Sequence, residues 1–233
     1  MQPGIPVLRL SLPDSFRLLP AHLREAETRD WCDDHLLSLL AALDPNLDHY
    51  FGEDFARSGD LTVFWPLEQA RTLRLLTPFL VELRNVPFEQ QKQILFYIVD
   101  RLPRFRAGAM DARGNGQFLA EVAAQKYGAG RIAQVMLSTE WYRENMPPFK
   151  AAIEDKNLAL PRDADVLADL RAIRMDKGIA KVPDNARVRG TDGRDRHGDA
   201  AIALAMATYA ALRMEPAGAC TGYESMPRRG SGA

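Results

Sequence analysis

Asp54, Asp111 and Asp199 each stand at the edge of an apolar run, in "HYFGEDF", "FRAGAMDARGNG" and "RHGDAAIALA". Asp is a poor occupant of a strand, so Asp54 inside a strand pattern means that local propensity is overridden there. Each acid also has an ordinary reading. Asp54 could be a solvated acid on an edge strand, Asp111 a backbone cap before a Gly-rich turn, and Asp199 the N-cap of the last helix. Brought into one cleft, the three would repel one another and raise their own pKa values unless cations neutralised them. Carboxylate oxygens select Mg²⁺ or Mn²⁺ rather than zinc. Two such ions about 3.5 to 4 Å apart can activate a water and stabilise the leaving oxygen of an in-line phosphodiester displacement. As a set, the three acids imply metal-dependent nuclease chemistry, with all three as metal ligands and one of the ions depending on substrate phosphates for its site.

Basic residues flank these acids in the chain. Arg57, Arg113, Lys181, Arg194, Arg196 and His197 are the candidates for contact with a nucleic-acid backbone. His197, two residues before Asp199, could also polarise water, although a histidine at the surface start of a helix is as ordinary a reading. Strand alternation puts Tyr50, Gly52 and Asp54 on one face and Phe51, Glu53 and Phe55 on the other, so Glu53 is expected to point away from the cleft and to be dispensable for cutting.

The elements that must position these acids follow from hydrophobic period. "DWCDDHLLSLLAALDP" has Trp31, Leu36, Leu39, Leu40 and Leu43 at helical spacing and ends at Pro45, which predicts an amphipathic lead-in helix. "DHYFGEDFA" and "DLTVFWPLE" alternate as two antiparallel strands about a turn at "RSG". "TLRLLTPFLVELRNV" supplies a third strand. "PFEQQKQILFYIVDRL" reads as a helix opened by Pro87. A strand ending at Asp111, a helix closed by Gly128, the strand "RIAQVMLS", further helical patterns, an irregular segment and a last helix, apolar nearly all round and therefore buried, complete the chain. This order predicts an α/β fold of the ribonuclease H-like kind: a mixed sheet, three antiparallel strands then parallel ones, with helices on both faces. In it the first strand lies beside the fourth, which brings Asp54 and Asp111 together at about one ladder spacing of 4.8 Å.

With 233 residues, 46% hydrophobic and 26% charged, the chain is long enough for one substantial core and lies outside the disordered and fibrous classes. Thirty Lys and Arg against 31 Asp and Glu exclude a strongly basic protein but not a local basic groove. Cys32 and Cys220 have no clustered partners, which argues against a thiolate zinc site or a disulfide scaffold. No run of about 18 apolar residues occurs. These features are those expected of a cytoplasmic protein. No GxxxxGK[ST] is present, so a P-loop ATPase is unsupported. The Gly-, Pro- and Ser-rich end, 215–233, is expected to be a flexible tail.

Three blocks, "GEDFARSGDLTVF", "FRAGAMDARGNGQFLAEVAAQKYG" and "DRHGDAAIALAMATYAAL", resemble the C-terminal nuclease domain of phage terminase large subunits, in particular the Mu-like packaging proteins. The last block is the most specific, and the likeness covers roughly residues 46 to 213. The resemblance implies an endonuclease that uses Mg²⁺ or Mn²⁺ to cut double-stranded viral or prophage DNA in the bacterial host cytoplasm. It assigns Asp54 to the first-strand acid, Asp111 to the acid ending the fourth strand and Asp199 to the acid opening the last helix. Asp60 matches an additional acid found in some members and is a further metal candidate. It also implies a terminase ATPase domain, a small terminase subunit and a portal as partners. The Walker motifs of that ATPase are missing here, so an excised domain or a truncated gene product is expected, with residues 1–45 as an N-terminal connector and 46–214 as the nuclease domain. Two other readings stay open: a ribonuclease H-like resolvase or transposase, and a non-catalytic docking domain whose acids are structural caps.

Overall fold

A computed structural model describes residues 4–56, 61–183 and 185–214. Arg57, Asp60 and the tail 215–233 lie outside the described residues, and with them the turn at "RSG". The strands are β1 (Val7–Ser11), β2 (Asp48–Asp54), β3 (Leu61–Gln69), β4 (Leu75–Leu76), β5 (Leu80–Arg84), β6 (Phe105–Asp111), β7 (Ile132–Val135), β8 (Arg174–Asp176), β9 (Ile179–Lys181), β10 (Val188–Arg189) and β11 (Asp195–Arg196). The helices are α1 (Ala21–His35), α2 (Leu37–Ala41), α3 (Phe88–Val99), α4 (Gly116–Tyr127), α5 (Thr139–Glu154), α6 (Ala164–Arg171) and α7 (Asp199–Arg213).

Seven strands make the central sheet in the order β1-β5-β3-β2-β6-β7, with β4 paired to β3. β2, β3 and β5 are antiparallel neighbours, whereas β6 runs parallel to both β2 and β7. This is the ribonuclease H-like order that the element pattern predicts. Alternation along each strand divides the core into two layers. Tyr50, Val63, Trp65, Ala107 and Ala109 face α5, α6 and α7. Phe51, Phe64, Val81, Leu83 and Met110 face α1 to α4.

The first 45 residues differ from expectation. β1 pairs in parallel with β5, from Val7 opposite Leu80 to Ser11 opposite Arg84, and Leu36, Leu40 and Leu43 are buried in the same layer as α3 and α4. This segment is an integral edge of the packed body, not a separate connector. Its helix also breaks at Leu36 into α1 and α2. The irregular stretch before α7 contains two small hairpins, β8 with β9 and β10 with β11.

α7 lies across β2, β3 and β6, and Gly52 decides how close it comes. A Cβ at position 52 would stand 2.0 Å from the Ala203 carbonyl oxygen and 2.3 Å from the Ala207 nitrogen. The helix answers with buried Ala200, Ala201, Ala203, Ala205, Ala207 and Ala210. Small residues on both sides let the backbones meet without a side-chain layer between them.

Candidate metal centre

β2 and β6 run in parallel register with Glu53 opposite Met110, so the next residues, Asp54 and Asp111, end the two strands side by side. Asp199 arrives from the other direction, as the first residue of α7. Gly198 precedes it at φ 85°, a left-handed conformation that glycine adopts without steric cost. Asp199 is therefore not the N-cap: its Oδ2 accepts the His197 backbone N–H at 3.0 Å, inside the turn that leads into the helix. A negative charge in the first turn also suits the helix dipole.

All three acids line one cleft of about 480 Å³, with Phe55, Arg113, Asn115, Tyr142 and His197 among its walls. Their electrostatics follow from this crowding. Burial, then the charges of Asp199 and Asp111, hold the Asp54 carboxyl well above the ordinary carboxylate range. Asp199 is pushed up to about 6, chiefly by burial and also by Asp169, against the lowering effect of the His197 N–H. Like charges gathered in a partly desolvated cleft favour protonation, and a bound cation would reverse that preference.

One of the acids already has a cationic partner. Asp111 Oδ1 accepts from the Arg113 backbone N–H at 2.9 Å and from its Nε at 3.0 Å, while Oδ2 accepts from Nη2 at 3.0 Å. The turn-capping role and the cleft role of Asp111 thus coexist. Among the described residues, no group of three His, Cys, Asp or Glu side chains is arranged to hold a metal ion. The donor chemistry nevertheless fits a hard cation. Three carboxylates converge on one cleft and two of them carry raised pKa values, which is the arrangement that a divalent ion stabilises.

The proposed nucleic-acid contacts divide. Arg113 and His197 line the cleft. Lys181 bridges to Asp176 at 2.8 Å, and exposed Arg194 donates to Ser11 Oγ at 2.9 Å. Arg196 requires a correction: it is 2% exposed, and both Asp169 and Glu82 bind its guanidinium, so it has no surface to offer a ligand. Asp169 and Glu82, both buried, form no part of the sequence-level site. Asp165 and Asp169, four apart on α6, look like a solvated helix face when only the sequence is read. Glu53 does lie on the face opposite Asp54, but it is buried, its Oε2 has no partner and burial pushes it up to about 8.

No family model matches the chain. Over 207 residues it is 48% identical to "Probable terminase, large subunit gp28" of Escherichia phage Mu, an alignment covering 88% of this chain and 37% of that protein. The chain belongs to the Mu-like terminase large subunits. A second relative, the Mu-like prophage FluMu protein gp28 of Haemophilus influenzae, is 38% identical over 187 residues, 80% of this chain and 36% of that one. The terminase chain spans little more than a third of the length of these relatives. Among solved structures it superposes on the large terminase nuclease of the thermophilic phage G20c, crystallised with bound magnesium, at TM-score 0.53 and 20% identity, covering 70% of this chain and 82% of that one. The large terminase nuclease domain of Thermus phage P74-26 gives 0.50 at 18% identity, covering 71% and 80%. At those identities the likeness establishes the shared fold.

Proposed function

We propose that this chain is the nuclease part of a Mu-like packaging terminase, a Mg²⁺- or Mn²⁺-dependent endonuclease for double-stranded DNA. The observation that carries the reading is the convergence of Asp54, Asp111 and Asp199 on one cleft from β2, β6 and α7. Asp54 and Asp199 would hold a divalent cation through carboxylates whose raised pKa values report their crowding, and Asp111 would join them on leaving Arg113. Asp60, the residue just before β3 in the chain, remains a further candidate ligand. When bound, such ions supply charge neutralisation and a water activated near neutral pH.

The chain's own residues account for positioning. Strand register sets Asp54 beside Asp111, and the Gly198 turn aims Asp199 at them. Arg113, released from Asp111, would be free to bind a phosphate through its planar fork. His197 lines the same cleft, and Lys181, Arg194 and, three residues after β2 in the chain, Arg57 are the further candidates for contact with the DNA backbone. The ATPase motor, small terminase subunit and portal are the proposed partners, and the bacterial host cytoplasm the proposed setting. The high identity to the Mu protein favours this reading over a resolvase or transposase.

Nicking of supercoiled plasmid by the purified chain tests it. Mn²⁺-dependent nicking that Asp54→Asn and Asp199→Asn both abolish is the expected result. Plasmid left intact in Mn²⁺, or cut equally by both variants, overturns the reading and leaves a docking domain with structural acids.

A further inference from the structure

The turn that carries Asp199 is gripped at both ends by one carboxylate. On its near side Asp169 accepts from Arg196, Oδ1 from Nε at 3.1 Å and Oδ2 from Nη2 at 2.8 Å. On its far side the same Oδ2 accepts the Ala200 backbone N–H at 3.0 Å. Arg196 is tied in turn to the sheet, since Glu82 on β5 accepts from Nη2 at 2.7 Å and from Nη1 at 3.2 Å. Arg9 on β1 donates to the same Glu82 at 2.7 Å. The side chains of Arg196, Glu82 and Asp169 are 3%, 2% and 0% exposed.

Burial pulls the Arg196 pKa down, but the bonds and charges of Asp169 and Glu82 outweigh it, so the guanidinium stays charged. A buried ionic cluster is weak evidence for stability, because apolar side chains of similar volume often serve as well. What a doubly forked guanidinium does supply is fixed geometry. Here the fixed object is the stretch 196–200, whose central residues are His197, Gly198 and Asp199. Asp169 itself stays out of the cleft lining.

We infer that Asp169 is a positioning residue for Asp199, closing the 196–200 turn, and that Glu82 anchors this closure to the sheet through Arg196. The inference rests on the reading of Asp199 as a metal ligand. Asp169 acts through the backbone of the turn and touches no substrate.

The test is Mn²⁺ binding, followed by the electron paramagnetic resonance of free Mn²⁺ with and without a phosphorothioate duplex, alongside plasmid nicking. Wild type is compared with Asp169→Asn, Asp169→Glu, Arg196→Lys and Asp165→Asn, each checked for folding by circular dichroism and urea midpoint. Asp169→Asn and Asp169→Glu should each weaken Mn²⁺ binding by about tenfold or more, the usual cost of losing a group that orients a ligand. Asp165→Asn, which removes another buried carboxylate of α6, should leave binding within about twofold, the pattern expected if orientation of the ligand is what matters. Full binding by Asp169→Glu would mean that its charge alone matters and overturns the inference, as would wild-type binding by Asp169→Asn. If Asp169→Asn does not fold, Arg196→Lys decides: it keeps the charge but loses the double fork, and wild-type Mn²⁺ binding by it overturns the inference. A wild-type chain that neither binds Mn²⁺ nor cuts overturns the metal reading and this inference with it, whereas wild-type binding matched by all the Asp169 and Arg196 variants overturns this inference alone.

Discussion

Arg113 folds back on Asp111, two residues earlier, and meets both carboxylate oxygens with its side chain at 3.0 to 3.2 Å. The guanidinium takes up the charge that a metal ion would otherwise neutralise at that acid. Because Arg113 is about half exposed, the pair is of the kind worth roughly 0.2 to 1 kcal/mol, small enough for a divalent cation to displace. Arg113→Gln should therefore tighten Mn²⁺ binding in the absence of DNA by about twofold to fivefold. The same variant should weaken DNA binding, so calorimetric titration with metal and gel-shift with duplex should move in opposite directions.

Asp54 lies under the strongest pressure in the cleft, raised by burial and by two neighbouring acids. Asp54→Asn should lower the nicking rate by about three orders of magnitude, some 4 kcal/mol of barrier at 1.36 kcal/mol per tenfold. It should also raise the melting temperature of the metal-free protein by a few degrees, since it removes a charge that folding disfavours. Nicking rates and scanning calorimetry on one preparation would show both effects.

Glu53 offers a pH test separate from metal. Its folded pKa is about 8, above an ordinary value of 4.5, so the folded state retains a proton that the unfolded chain gives up. Stability from this group is fully present below about pH 4.5 and falls as pH rises towards 8, by an amount on the order of a few kcal/mol. Glu53→Gln should flatten that decline in urea unfolding between pH 5 and pH 8, and should leave plasmid nicking near the wild-type rate.

Gly52→Ala should destabilise the protein by roughly 3 kcal/mol or more, the upper end for overpacking, because the added methyl meets backbone rather than a movable side chain. Urea denaturation measures this directly. A variant as stable as wild type would show that α7 can lift from β2.

The residues that proved readable from sequence were those in conflict with their surroundings. Asp54 breaks a strand pattern, Asp111 ends one, and Asp199 opens a helix that is otherwise apolar, so each acid is marked by local inconsistency. The strand order from β2 to β7 was legible for a related reason: the alternation in "DLTVFWPLE" and the stripe of α3 each belong to one period. Asp169, Glu82 and Arg196 carried no such mark, because a buried ion cluster assembled from β5, α6 and β11 looks in sequence like three solvated charges. β1 was missed because its five residues, "VLRLS", are flanked by prolines and too short for period to decide. The bond from the Arg113 backbone N–H to Asp111 is the capping that an Asp before a Gly-rich turn suggests, but nothing in the sequence shows that the Arg113 guanidinium folds back on the same carboxylate.

The contact of β2 with α7 at Gly52 sets a gauge for the whole cleft. Asp54 stands two residues beyond that contact and Asp199 one turn before it, so the distance between them is measured in peptide units and not in adjustable side chains. The Gly52 contact and the Ala200 N–H bond to Asp169 act on the same end of α7, so in the proposed centre Asp54 and Asp199 face each other as a fixed jaw held from two sides.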